Sequence, residues 1–371
     1  MQPTGFVRRF RFWSVLTVCS IYLLILVGGV VRASGSGMGC PDWPKCFGQW
    51  VPPTDISQLP ADYKQVYLAQ RVKKNQKLAR TLASMGFRQV AGEIFAHPTQ
   101  YVETDFNATK TWIEYVNRLV GVLIGIFVFI TAVVALPYWR RDRPVFWLAV
   151  GGWLLTGVQG WLGSLVVSTN LLPIMVTIHM GLALLIVAML LYAADRARQQ
   201  PTEVSPMAAE WTAIQPATAP VAAQGLRLLL WIALLVTFVQ IVLGTQVREQ
   251  VDHVAAATGY LQRDTWVSQL GDVFKVHRSL SILVVLLNAY AAYLLWPLAG
   301  RLRSIMAAVL AVLAAEVLAG VSLAYLALPA VIQPVHLTLA TLLFGGQFLA
   351  LLAYHRLVRG TQSVRLRPAH A

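Results

Sequence analysis

The chain has 371 residues, of which 57% are apolar and only 12% charged, and its mean hydropathy is +0.60. That balance excludes a soluble globular protein of this length, which needs far more polar surface. The net charge of +14 raises nucleic acid as a partner. The placement of the arginines argues against nucleic acid, because they cluster in short segments between apolar runs.

Apolar runs of the length needed to cross a bilayer core, roughly twenty residues, predict eight spans: 12–31, 112–136, 145–167, 173–194, 227–247, 273–297, 304–326 and 331–355. The first run lacks a small-residue cleavage pattern and is read as a span, not a removable signal. The outside loops are then 32–111, 168–172, 248–272 and 327–330. Arg8, Arg9 and Arg11, Arg140, Arg141 and Arg143, Arg196 and Arg198, Arg301 and Arg303, and Arg356, Arg359, Arg365 and Arg367 all fall on the opposite side. The positive-inside rule makes that side cytoplasmic, with both termini inside and the outer loops periplasmic at a bacterial inner membrane. Within the long first loop, Asp62 to Gly86 predicts a basic amphipathic helix bearing Tyr63, Val66, Tyr67, Leu78 and Leu82. A solvated cap is preferred there over a partner-docking surface. Residues 199–225, rich in Pro, Ala, Thr and Gln, are expected to be a cytoplasmic linker between an N-terminal half (1–198) and a C-terminal half (226–371).

The two halves repeat one another. Gly28-Gly-Val-Val-Arg32 in the first span resembles Gly244-Thr-Gln-Val-Arg248 in the fifth. Val116-Asn117-Arg118 matches Val276-His277-Arg278, Gln159-x-x-x-Gly163 matches Glu316-x-x-x-Gly320, and Ile178-His179 matches Val335-His336. The fold class is therefore an all-α integral membrane protein, with eight helices as two pseudo-symmetric four-helix bundles related by an axis along the membrane normal. Glycines at these spacings permit close helix approach.

Of the seven histidines, His97 and His253 fall in outer loops, and His355 and His370 near the cytoplasmic end. His179, His277 and His336 each lie a few residues into a span entered from outside. All three stand at one depth, roughly 7–10 Å below the outer surface. An intramembrane ionisable group is a functional-site candidate. A lone one more commonly makes an interhelical hydrogen bond, but two at equal depth in one bundle suit the axial positions of a haem iron. Arg278 and its counterpart Arg118 are placed to meet haem propionates. The N-terminal half has Asn117 where the other has His277, with Glu114 on the same helix face. Glu114 is either a proton-carrying carboxylate beside a porphyrin or a helix-start charge. Glu316 is expected to be buried more deeply than Glu114, with Gln159 and Gln240 as its equivalents in interhelical hydrogen bonding.

Cys40 and Cys46 flank Pro-Asp-Trp-Pro-Lys in the first outer loop. The stretch offers too few ligands for zinc, and an oxidising compartment favours a disulfide over free thiols. Cys19 is expected to pack inside the first span.

Together, Gly28–Arg32 running into Ser34-Gly-Ser-Gly37 and Asp42-Trp43, Glu114-Tyr-x-x-Arg118, Gln159-Gly-x-Leu-Gly163, His179, His277-Arg278 and His336 resemble the heme A synthase family over about residues 12–356. The resemblance implies oxidation of a ring methyl of heme O to a formyl group, giving heme A for cytochrome oxidase assembly. It implies a haem b cofactor on His277 and His336, and a heme O substrate site with His179, Asn117 and Arg118. It further implies Glu114 as the catalytic acid, and Cys40 and Cys46 as the outer-loop pair of some members. Heme O synthase, cytochrome oxidase assembly proteins and the bilayer are the implied partners, with homo-oligomers allowed. The chain departs from the family in one place, where the usual His-Arg of the second span is Asn117-Arg118. That departure keeps open a second class, a non-catalytic haem b-binding membrane cytochrome for electron transfer or haem delivery. A transporter is a third class, disfavoured because no span breaks at mid-membrane.

Overall fold

A computed structural model describes residues 5–96, 105–197, 219–298 and 300–365. His97, Arg198, Arg367, His370 and most of the expected linker (199–218) lie outside the described residues. Eight helices are long and apolar enough to cross a membrane: α1 (Gly5–Ala33), α4 (Ala108–Val134), α6 (Arg143–Ser168), α7 (Pro173–Arg196), α8 (Ala219–Ala257), α9 (Asp272–Leu295), α10 (Arg301–Tyr325) and α11 (Ile332–Arg365). Among the described residues there is no β-strand. Local signals account for several helix starts. Asn107 caps α4 by accepting from the Lys110 amide at 3.0 Å, and prolines occupy the first turns of α6 and α7.

Two boundaries differ from expectation. The segment from Ala219 onward, read as linker, is already α8, and α8 runs ten residues past the expected end of its span. His253 is thus helical and not in a loop. The extension is held because its inner face finds partners. Val251 and Ala255 pack against Trp266, Leu270 and Leu328, and Arg248 and Asp252 pair one turn apart at 2.7 Å.

Helices α1, α4, α6 and α7 touch in a ring, each against the next, and α8, α9, α10 and α11 do the same. Contacts of α11 with α1 and α7, and of α7 with α8, join the rings. The α1–α11 seam is tight at glycines. A Cβ on Gly29 would stand 2.8 Å from Pro334 Cβ, and one on Gly345 would strike the Tyr22 hydroxyl. Ion pairs join the two rings at both ends. At one end the 3%-exposed Asp195 of α7 takes Arg301 of α10 at 3.0 Å and Arg356 of α11 at 2.7 Å. At the other end Asp252 of α8 takes Arg32 of α1 at 3.0 Å. The repeat also extends into the turns. Asn170 and Leu171 before α7 are both left-handed, as are Ala327 and Leu328 before α11, so even unfavourable non-glycine conformations recur at the same offset.

The expected amphipathic helix of the first loop is α2 (Tyr63–Ser84), followed by an unexpected α3 (Arg88–Ala96) and, further on, a single turn α5 (Tyr138–Arg141). α2 buries Tyr63, Tyr67, Arg71, Asn75 and Ala79, a stripe recurring every fourth residue. Val66, assigned to the apolar face, is exposed. Leu78 and Leu82 pack with Ala91 and Ile94 of α3 on Leu172 and Met175. Asn75 donates to the Ser168 carbonyl at 2.8 Å. The two helices therefore cap the turn that joins α6 to α7.

Candidate functional site

Three of the four repeat corners share one construction. The side-chain amide of Gln159 on α6 donates to the His179 backbone carbonyl on α7 at 2.8 Å. Gln240 on α8 does the same for His277 on α9 at 2.9 Å. Four residues further on stands a glycine against which the imidazole edge lies. A Cβ on Gly163 would be 3.6 Å from His179 Cε1, and one on Gly244 would be 3.4 Å from His277 Cε1. On α10 and α11 the residues are Glu316 and Gly320. A Cβ on Gly320 would meet His336 Cε1 at 3.3 Å, and the Glu316 carboxylate stands 3.1 Å from His336 Nδ1, close enough to pair but poorly aligned for a hydrogen bond. The polar residue holds the histidine's own backbone or ring, and the missing side chain makes room for the ring.

The fourth corner, between α1 and α4, lacks both parts. Leu24 stands where the others have Gln or Glu, Asn117 stands where they have His, and a Cβ added to Gly28 would meet nothing within 4 Å. Asn117 Oδ1 is buried without a partner. Open space thus lies where a second imidazole of the N-terminal half would be.

Glu114 is only 3% exposed and is fully engaged. One oxygen accepts from Arg118 at 2.5 Å, and the other accepts from the Cys40 amide at 2.8 Å. Arg118 donates as well to the carbonyls of Asp42 (2.6 Å), Lys45 (3.0 Å) and Cys40 (3.1 Å). The pair therefore pins the loop closed by the Cys40–Cys46 disulfide, both of whose cysteines are buried. The expectation that Glu316 is the more buried carboxylate is corrected. The Glu316 side chain is 14% exposed against 4% for Glu114, because the disulfide loop folds over Glu114. Cys19 is also corrected: it is a free, exposed thiol on the outward face of α1. Nearby, Lys74 of α2 donates to the Ser164 carbonyl at 3.2 Å. Burial, with the Arg118 charge beside it, holds its amine below the ordinary lysine value. Arg278, expected near the propionates, is exposed and lies over the Phe274 ring at 5.9 Å.

The imidazoles fit a porphyrin better than a bare metal ion. His277 and His336 are within electrostatic range of one another, and Nδ1 of each is buried without a hydrogen bond. Among the described residues no three His, Cys, Asp or Glu side chains converge as a metal cage. A metal held here must take its remaining ligands from something other than protein, which is what a tetrapyrrole supplies.

Eight apolar spans, three of them carrying imidazoles seated against glycines, define a multi-pass membrane protein. The chain belongs to the cytochrome oxidase assembly protein family, which it matches over residues 11–348. It is 27% identical to a heme A synthase of Shewanella oneidensis over 188 residues, covering 50% of this chain and 45% of the relative. It is 27% identical to that of Nitrosomonas eutropha over 191 residues, 49% and 46% of the two chains. With that of a Bradyrhizobium species it is 26% identical over 259 residues, 67% and 59%. The chain thus spans about half the length of the curated relatives it matches.

Proposed function

We propose that this protein acts in heme A biosynthesis as a heme A synthase, oxidising a ring methyl of heme O to a formyl group. In this reading the two helix rings are pseudo-symmetric bundles, both termini are cytoplasmic, and the sites open towards the periplasmic side of a bacterial inner membrane. The observation that carries it is the inequality of the four corners. On this reading His277 and His336, which are within electrostatic range of one another and carry Gln240 and Glu316 in support, hold a permanent haem b by two axial imidazoles. His179 is supported in the same way, but the opposite corner of its ring has Asn117 and the open space at Gly28, which on this reading suits a substrate that must enter, react and leave.

The haem b would supply electron-transfer chemistry. The protein's own groups do the rest. His179 holds the substrate from one face. Asn117, with its unpartnered oxygen, offers a hydrogen-bond acceptor on the other side. With water as the oxygen source, conversion of a methyl to a formyl (RCH3 + H2O → RCHO + 4 H+ + 4 e−) releases four protons, together with four electrons that pass to an external acceptor, and Glu114 is the carboxylate of this half that would take up the protons. Its pairing with Arg118 keeps it oriented, and the disulfide loop over it excludes bulk water.

The relatives named as heme A synthases support this reading, as does the family's part in cytochrome oxidase assembly. Asn117 favours one alternative, a haem-binding membrane cytochrome without catalysis. Expression in membranes that make heme O but no heme A, followed by porphyrin extraction, separates the two. Heme A appears if the chain is the synthase. A folded, haem b-containing protein that yields no heme A would refute the assignment.

A further inference from the structure

On the outer face, where the two rings meet, two arginines share a single carboxylate and a third stands close by. Arg32 ends α1, and Arg248 occupies the repeat-equivalent position on α8. Asp252 accepts from Arg32 at 3.0 Å and pairs with Arg248 at 2.7 Å. Arg248 also donates to Gln333 Oε1 at 2.5 Å and to the Arg32 carbonyl at 3.5 Å. Arg263, from the loop after α8, lies within electrostatic range of Arg248 and donates to the Leu328 carbonyl. The Arg32 and Arg248 side chains are only 20% and 26% exposed, and the Nε of all three arginines is buried with no hydrogen-bond partner. Three permanent cations against one carboxylate leave an excess of positive charge in a half-dry place. Such an arrangement is costly unless an anion completes it. The idle Nε atoms are one prong of the guanidinium fork that takes a carboxylate bidentately.

The position says which carboxylate. Arg248 lies four residues beyond Gly244, against which the His277 ring rests, so it stands about 6 Å further out on α8. Gln333, its partner, lies three residues before His336 on α11. The cluster therefore sits one turn outward of both imidazoles. Arg118 is committed to the disulfide loop, and Arg278 lies out over Phe274.

We infer that Arg32, Arg248 and Arg263 form a carboxylate-binding site that receives the propionates of a porphyrin seated between His277 and His336. The inference rests on the haem reading of those histidines, and Asp252 holds the arginines in place until the ligand arrives.

The test uses the full chain, purified haem-free in detergent and titrated optically with iron protoporphyrin and with its propionate dimethyl ester. Wild type prefers the free acid, by about tenfold for each charge-assisted contact formed. R248Q lowers that preference about tenfold and leaves affinity for the ester unchanged. D252N, which removes the competing carboxylate, raises the preference severalfold, and it decides the matter if R248Q does not fold. Full preference retained in R248Q, or a preference unchanged or reduced in D252N, overturns the inference. Wild type that binds both porphyrins equally overturns the inference alone. Wild type that binds neither overturns the haem reading and the inference with it.

Discussion

Replacing Arg118 by Met removes the guanidinium that ties Glu114 to three carbonyls of the disulfide loop while keeping much of the side-chain volume. Loss of one partner from a buried ion pair costs roughly 3–5 kcal/mol. The Arg118 side chain is 12% exposed, so the lower figure applies. Part of that cost returns when the loop swings open and water reaches Glu114. Taking about 3 kcal/mol as the shift in the local opening equilibrium, the open population rises about a hundredfold. Both cysteines are buried, so a reductant reaches the disulfide only through the open form, and the reduction rate follows that population. The assay incubates the membrane-embedded protein with a water-soluble phosphine and counts alkylated Cys40 and Cys46 by mass spectrometry over time, with the haem spectrum as a control for folding. A reduction rate in R118M within a few-fold of wild type, with the spectrum intact, would refute the latch.

Four further outcomes follow from the geometry. Glu114→Gln abolishes heme A formation while leaving the haem spectrum of His277 and His336, and loss of both together would point to a purely structural carboxylate. His277→Ala or His336→Ala removes the two-imidazole haem b spectrum; an unchanged spectrum excludes that residue as a ligand. Gly244→Ala and Gly320→Ala press a methyl to 3.4 and 3.3 Å from the imidazole edge, so haem affinity falls several-fold, whereas Gly157→Ala, with open space around it, changes nothing in the same titration. Lys74, buried below its ordinary value, binds fewer protons folded than unfolded between its depressed value and about 10.4. Docking of α2 therefore tightens as pH rises through that window. Hydrogen exchange of α2 against pH reads this slope, which K74M flattens.

The spans were legible because both of their signals are local: an apolar run and its length. The repeat was legible for a related reason, since Gln159 to Gly163 and Glu316 to Gly320 keep their spacing within single helices. What that spacing accomplishes was less visible. The sequence paired Gln240 with Glu316, yet only the fold brings Gln159 and Gln240 to the carbonyls of His179 and His277. Glu114 posed a harder problem. Its partners, the Cys40 amide and the loop carbonyls bound by Arg118, lie some seventy residues upstream, and no periodicity encodes that encounter. Arg32 was noticed as part of a repeat but not as a charge, because the arginines on the other side of the membrane dominated the count. α8 outran its expected end because hydropathy stops at the hydrocarbon, whereas a helix stops only where its outer turns lose partners. The apolar face of α2 was misassigned at Val66 because its buried stripe includes Arg71 and Asn75, polar side chains that hydropathy places outside.

The ion pairs that join the two rings at either end have a further consequence. With Asp195 of α7 gripping α10 and α11 at one end and Asp252 of α8 holding Arg32 of α1 at the other, hinging or sliding of one ring against the other must break ion pairs. Electron tunnelling falls steeply with distance. On the proposed assignment, the gap between His179 and the His277–His336 pair is a constant of the molecule. The exchange of electrons between substrate and cofactor would then depend on their relative potentials and reorganisation energies across a distance that the ion pairs help to hold.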